Sequence, residues 1–280
     1  MSAEFMIREY LDNNFKEDEK FLLIKRNGLT AIMENYYENY PLHDLAGRMK
    51  NDNRVIQIVK QDYMLRLFAD FKDSNISVLY FKGEILQEAL YKNIYLRPAG
   101  DIDIYVWPDT FDRSKELINK QGYTCIKKVR HHTQYIKGHI SLELHRYLFH
   151  PAVELDESFF FGHLSLKDYK GYRHYIFDHT AVLLYLFYHL YMHVLLDART
   201  YDHIIANSVN MAERFLFRAF EIAKYIEIYH KEIDWKQICL NIKMQRLRVD
   251  FKNMVTVIQN IFPGCFPANF MIEAEKKEYC

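Results

Sequence analysis

The stretch Arg97-Pro98-Ala99-Gly100-Asp101-Ile102-Asp103-Ile104-Tyr105-Val106 decides how this chain reads. Pro98 and Gly100 mark a turn, and the alternation that follows predicts a β-strand over 102–107, closed by Pro108. Side chains two apart on a strand share a face, so Asp101 and Asp103 project together while Ile102, Ile104 and Val106 turn towards a core. Two carboxylates that close resist joint ionisation unless a cation lies between them. Mg2+ held by carboxylates and by substrate phosphate oxygens meets that need. Taken alone, the pair also fits two solvated aspartates beside a turn.

A second strand is predicted over 140–147, where Ile140-Ser141-Leu142-Glu143-Leu144-His145 alternates so that Glu143 and His145 face away from Leu142 and Leu144. If the two strands pair, three acids converge, as a two-metal phosphoryl-transfer centre requires. Upstream, Lys82-Gly83 falls between a short predicted strand over 76–81 and a short helix over 84–91. Glycine there lets backbone approach a phosphate, helix-start amides can face it, and Lys82 supplies positive charge. Arg97, four residues before Asp101, can fork onto phosphate oxygens or steady the loop by a salt bridge. His145 reads as orienting a metal-bound carboxylate or touching phosphate. A zinc centre built from His131, His132, His139, His145 and His150 is not expected, because these residues alternate with aromatics and lack H-E-x-x-H spacing.

Working outward, Asp109 or Thr110 caps a helix running to Lys120, and Gly122 stops it. Strands follow over 123–129 and 133–137, with Gly138 turning the chain into the 140–147 strand. From Glu4 to about Asp73 the apolar residues recur at helical spacing, among them Val55, Ile58, Val59, Met64, Leu65 and Phe68. After Pro151 only the aromatic stretch 169–177 alternates. Helices are predicted from 178 or 180 to 196, over 210–231, after a cap at Asp234, and over 250–261 before Pro263-Gly264. His189, His193 and Asp197 share one face of the first of these, either as a polar seam or as a contact between helices. The fold class is thus α+β: a small mixed sheet with helices on one face, flanked by N-terminal helices and a C-terminal helical domain. The expected divisions are 1–74, 75–150 and 151–280.

Composition bounds the rest. Half of the 280 residues are apolar and only nine are Gly and six Pro, which favours long helices over a turn-rich sandwich. The 37 basic residues cancel the 37 acidic ones, so no global field draws in a long nucleic acid. Cys125, Cys239, Cys265 and Cys280 are scattered, which points to neither a zinc knuckle nor a disulfide framework but to a reducing compartment. Glu4 and Glu9 do not read as part of a signal peptide. The longest apolar run, Val182 to Leu196, spans fifteen residues and includes two histidines, short of the roughly 20 that a membrane helix needs. The expectation is a cytoplasmic protein without a membrane partner.

Phe81-Lys82-Gly83, Tyr91, Leu96-Arg97-Pro98-Ala99-Gly100-Asp101-Ile102-Asp103-Ile104, Gly122-Tyr123, His131-His132 and Leu142-Glu143-Leu144-His145 together resemble the uncharacterised nucleotidyltransferase family of the polymerase β-like superfamily. The resemblance is strong over 76–147 and weaker through the helical part, at His189-x-x-x-His193 and at Ile233-Asp234-Trp235 before Phe262-Pro263. The superfamily's commoner loop is Gly-Gly or Gly-Ser, where this chain has Lys82-Gly83-Glu84. What the resemblance implies is transfer of an NMP from an NTP donor to an acceptor hydroxyl on a small molecule, a protein side chain or an RNA end. Asp101, Asp103 and Glu143 would hold Mg2+ or Mn2+, and Lys82, Gly83, Arg97 and His145 would contact the nucleotide. The alternatives are a catalytically silent nucleotide-binding module and a metal-dependent phosphohydrolase using the same carboxylates.

Overall fold

The computed structural model describes residues 1–98, 100–151, 155–169, 171–196, 214–245, 249–268 and 270. Two compact units are present, one formed by 1–47 with 179–280 and the other by 48–178. The second carries every candidate site residue.

Its sheet has seven strands: β1 (Val78–Tyr80), β2 (Ile102–Val106), β3 (Thr124–Lys128), β4 (His132–Lys137), β5 (Ile140–His145), β6 (Leu164–Tyr169) and β7 (Tyr172–Phe177). The order across the sheet is β3-β4-β5-β2-β1-β7-β6. β1 runs antiparallel to β2 and parallel to β7, while β2 runs parallel to β5 with Asp103 opposite Glu143 and Ile104 opposite Leu144. β4 is antiparallel to β5, with His132 opposite His145 and Gln134 opposite Glu143. The two acid-bearing strands do pair, which is the condition on which the sequence reading rested. The aromatic stretch 169–177 closes a β6–β7 hairpin that extends the sheet on the far side of β1.

One face of the sheet is a greasy layer. Ile102, Ile104, Val106, Leu142 and Leu144 are fully buried and pack with Met64, Leu67, Phe68 and Phe71 and with Phe111 and Ile118. The first group lies on the end of a 31-residue helix (His43–Asp73), the second on the helix Phe111–Lys120 that Gly122, at φ +84°, terminates as expected. The other face carries the polar residues of β2 and β5, and aromatics close part of it: Phe81 meets the His145 ring edge-on at 5.2 Å, and Phe161 of the short helix Ser158–Phe161 lies 5.2 Å from Tyr105.

The long helix departs from its expected stripe. Val55, Ile58 and Val59 are exposed, whereas Asn53, Gln57 and Lys60 are buried. The reason is local: Asn53 Nδ2 donates to the Tyr95 carbonyl at 2.9 Å, and Lys60 Nζ donates to the carbonyls of Gly100 and Asp101 at 2.8 and 2.9 Å. This polar stripe satisfies the backbone carbonyls of Tyr95, Gly100 and Asp101, which an apolar stripe could not do.

The other unit is helical in its described residues: Ala3–Asn14, Glu17–Arg26 and Thr30–Met33 from the N-terminal part, then His179–Leu196, Phe215–Tyr229, Trp235–Met244 and Val249–Ile261. Asp234 caps its helix as predicted, its carboxylate accepting from the Gln237 amide at 3.1 Å. The rings of His189 and His193 meet edge-on along one helix at 4.7 Å, and His193 Nε2 lies 3.4 Å from the Arg218 guanidinium of another; Asp197 and the predicted helix start at 210–213 fall outside the described residues. Among the described residues no helix is long and apolar enough to cross a membrane.

Candidate active site

The site is built on the polar face of β2 and β5, and the register fixes it. In parallel strands side by side, Asp103 and Glu143 are neighbours on one face, because their flanking residues Ile102, Ile104, Leu142 and Leu144 are committed to the core on the other. A one-residue slip of either strand would bury a carboxylate in that core. Asp101 stands just before β2, on the loop held by Lys60.

Lys82 and His145 converge on the same oxygen of Asp103. Lys82 Nζ lies 2.9 Å from Asp103 Oδ1, and His145 Nε2 lies 3.2 Å from it. His145 Nε2 is also 3.3 Å from Glu143 Oε2, while Glu143 Oε1 faces His132 Nε2 at 3.6 Å. The side chains of Asp103 and His145 are only 7% and 5% exposed. Burial alone would push the Asp103 carboxyl up, but the Lys82 ammonium and the His145 hydrogen bond outweigh it and hold the group well below the usual carboxylate range. Burial likewise opposes the charged form of His145, and its hydrogen bonds to Asp103 and Glu143 reverse that, raising its pKa. Glu143 is lowered: burial raises it, and the His145 hydrogen bond more than compensates.

Asp101 behaves in the opposite way. Burial pushes its carboxyl up, the neighbouring Asp103 and Glu143 carboxylates push in the same direction, and a Ser141 hydrogen bond and the Lys82 charge only partly offset them. The charges of Asp103 and Glu143 thus bear on Asp101, the least compensated of the three acids, and all-oxygen donors are the type that a hard divalent cation prefers.

Gly83 adopts φ +68°, which favours glycine, and a Cβ there would lie 3.2 Å from the Tyr80 hydroxyl and 3.5 Å from the Asp101 carbonyl. Its visible role is close passage beside the loop that carries Asp101. The helix it precedes, Glu84–Leu90, has seven residues. Arg97 is half-buried and directly follows the 3-10 turn Ile94–Leu96 on the approach to Asp101.

Two functional groups escaped the sequence reading. Lys60 sits among Gln57, Met64, Leu67 and Phe71 on the buried stripe of its helix, and a lysine at that phase was the available signal. The histidines were weighed as a cluster and set aside for want of H-E-x-x-H spacing, yet the β4–β5 register brings the rings of His131, His132 and His145 together, with His150 4.8 Å from His131 and His132 5.2 Å from His145. Burial, aided by the other three imidazoles, pushes His131 down to about 4.

The family described as "Uncharacterised nucleotidyltransferase" matches this chain over residues 32–263. Among solved structures, an antigenic nucleotidyltransferase-like protein from Paracoccidioides brasiliensis is similar at a TM-score of 0.40 and 9% identity, over 71% of this chain and 92% of that one. No curated protein matches.

Proposed function

We propose, for a chain that belongs to the uncharacterised nucleotidyltransferase family, that the polar face of β2 and β5 transfers an NMP from an NTP to an acceptor hydroxyl. The observation that carries this reading is the parallel register that sets Glu143 beside Asp103, with Asp101 two residues upstream on the same side. Asp101, Asp103 and Glu143 would hold Mg2+ or Mn2+, which when bound neutralises developing charge on the phosphate oxygens and favours the ionised acceptor.

The chain's own residues do the rest. Lys82 keeps Asp103 ionised and stands where a triphosphate would meet its charge. His145 bridges the two strands by facing Asp103 Oδ1 and Glu143 Oε2 together, which fixes the spacing of the two carboxylates. Lys60 holds the Asp101 backbone, so that the least compensated acid is set in place before an ion arrives. Arg97, at the loop's entry, is assigned to the phosphate oxygens.

Incubation with an α-labelled NTP and Mg2+ tests the proposal. Labelled acceptor with released pyrophosphate is the expected outcome. Free phosphate would favour a phosphohydrolase, and binding without turnover a silent nucleotide-binding module.

A further inference from the structure

The geometry points to a second metal-binding site, formed by His132, Glu143 and His145, that takes a cation of borderline softness such as Zn2+. It goes beyond the nucleotidyl-transfer reading, since it needs only these three donors and no nucleotide. Both oxygens of Glu143 are directed at imidazole nitrogens, Oε1 towards His132 Nε2 at 3.6 Å and Oε2 towards His145 Nε2 at 3.3 Å. Three candidate ligand atoms, one from each side chain, lie within 4.8 Å of one another. Ligands bound at about 2.1 Å around a tetrahedral ion are separated by about 3.4 Å, so the contact of Glu143 Oε2 with His145 Nε2 already matches one edge of such a polyhedron.

The outer contacts fit as well. His145 Nδ1 lies 3.3 Å from the Tyr147 carbonyl, so that nitrogen carries the proton as donor. Nε2 is then left facing two carboxylate oxygens, a position that only a proton or a cation can occupy. A ring whose second nitrogen is anchored to a backbone carbonyl is the usual setting of a metal-ligating histidine. On the far side, His131 Nδ1 and His132 Nδ1 are buried without a hydrogen-bond partner among the described residues. Unpaired buried nitrogens are uncommon unless an ion or its ordered water lies nearby.

Two imidazoles and a carboxylate distinguish this donor set from the all-oxygen triad of Asp101, Asp103 and Glu143. Imidazole ligands suit Zn2+, Co2+ or Fe2+, whereas Mg2+ prefers oxygen. Three protein ligands leave a position for water or an oxyanion, the pattern of a reactive rather than a purely structural zinc centre. Glu143 belongs to both sets and links them. A zinc centre among these histidines was not expected from their spacing, because His132 and His145 come from two strands that only the β4–β5 register brings together.

Co2+ is the probe. The full-length protein, loaded with CoCl2 and desalted, should retain about one equivalent and show the intense visible absorption of low-coordinate cobalt. His132→Ala and His132→Gln should each reduce retention at least ~10-fold, while Asp101→Asn retains it. Retention that survives in the folded His132 variants, or that is lost in Asp101→Asn, overturns the proposal. X-ray absorption of the zinc-loaded wild type, which requires no variant, should resolve two imidazole ligands; an oxygen-only shell would equally overturn it. Retained cobalt without NTP turnover would support this site while refuting the nucleotidyl-transfer reading.

Discussion

Lys60→Met removes one ammonium and keeps most of the side-chain volume. Lys60 is 1% exposed and donates to the Gly100 and Asp101 carbonyls at 2.8 and 2.9 Å. Hydrogen bonds from charged donors contribute about 1.5–3 kcal/mol each. Two such bonds are lost, but the variant no longer buries a charge, and the carbonyls of this partly open loop regain water. The net destabilisation worked from these terms is about 1–3 kcal/mol. The chain contains two tryptophans, Trp107 in the sheet unit and Trp235 in the helical one. In a Trp235→Phe background, Trp107 fluorescence during urea unfolding therefore reports on the unit that carries Lys60. The midpoint should fall by about 1 M at unchanged slope, and Mg2+-dependent NTP binding should weaken because the Asp101 backbone has lost its anchor. A midpoint within about 0.2 M of the parent, with an unaltered Mg2+ response, would refute the reasoning.

Lys82→Ala should weaken NTP binding much more than NMP binding in calorimetric titrations, since a point charge near the outer phosphates has little to hold once they are gone; equal losses would place Lys82 elsewhere. Glu143→Gln should lower turnover by several orders of magnitude while NTP affinity changes little, as expected for an interaction made mainly in the transition state and readable in single-turnover assays. His174 is buried against Phe68 and Tyr80, and desolvation lowers its pKa from 6.5, countered in part by a hydrogen bond with the Tyr172 carbonyl. The unfolded chain then binds a proton that the folded one refuses, so the His174 contribution is complete above about pH 6.5 and is lost as pH falls below it. His174→Phe should flatten the stability profile there by up to about 1.4 kcal/mol per pH unit in urea titrations.

The two acid-bearing strands were legible because their period is two and their environment is one-sided. Ile102, Ile104, Leu142 and Leu144 announce a buried face, and the acids between them must take the other. The helix Phe111–Lys120 was equally open to reading at its end, from Gly122; Thr110 stands at its N-cap but makes no side-chain capping bond, its hydroxyl donating to the Trp107 carbonyl instead. What was hidden depends on contacts between distant segments. Lys60 lies 40 residues from the loop it holds, and helical periodicity that counts only apolar residues selected Val55, Ile58 and Val59 when the buried stripe is polar at that end. The β6–β7 hairpin looked like an isolated aromatic stretch, since only its parallel pairing with β1 makes it part of the sheet. The grouping of His132 with His145 follows from strand register, which spacing along the chain does not encode.

We propose that Asp101, Asp103 and Glu143 form a divalent-cation site that serves a nucleotide. This is tested most directly by titrating a non-hydrolysable NTP into wild type and Asp101→Asn, each with and without Mg2+. Burial first, and then the Asp103 and Glu143 charges, oppose ionisation of Asp101, so the asparagine relieves both and leaves the fold intact or more stable without metal. Mg2+ should tighten NTP binding in wild type and have no such effect in Asp101→Asn. An equal Mg2+-dependent gain in both proteins would contradict it.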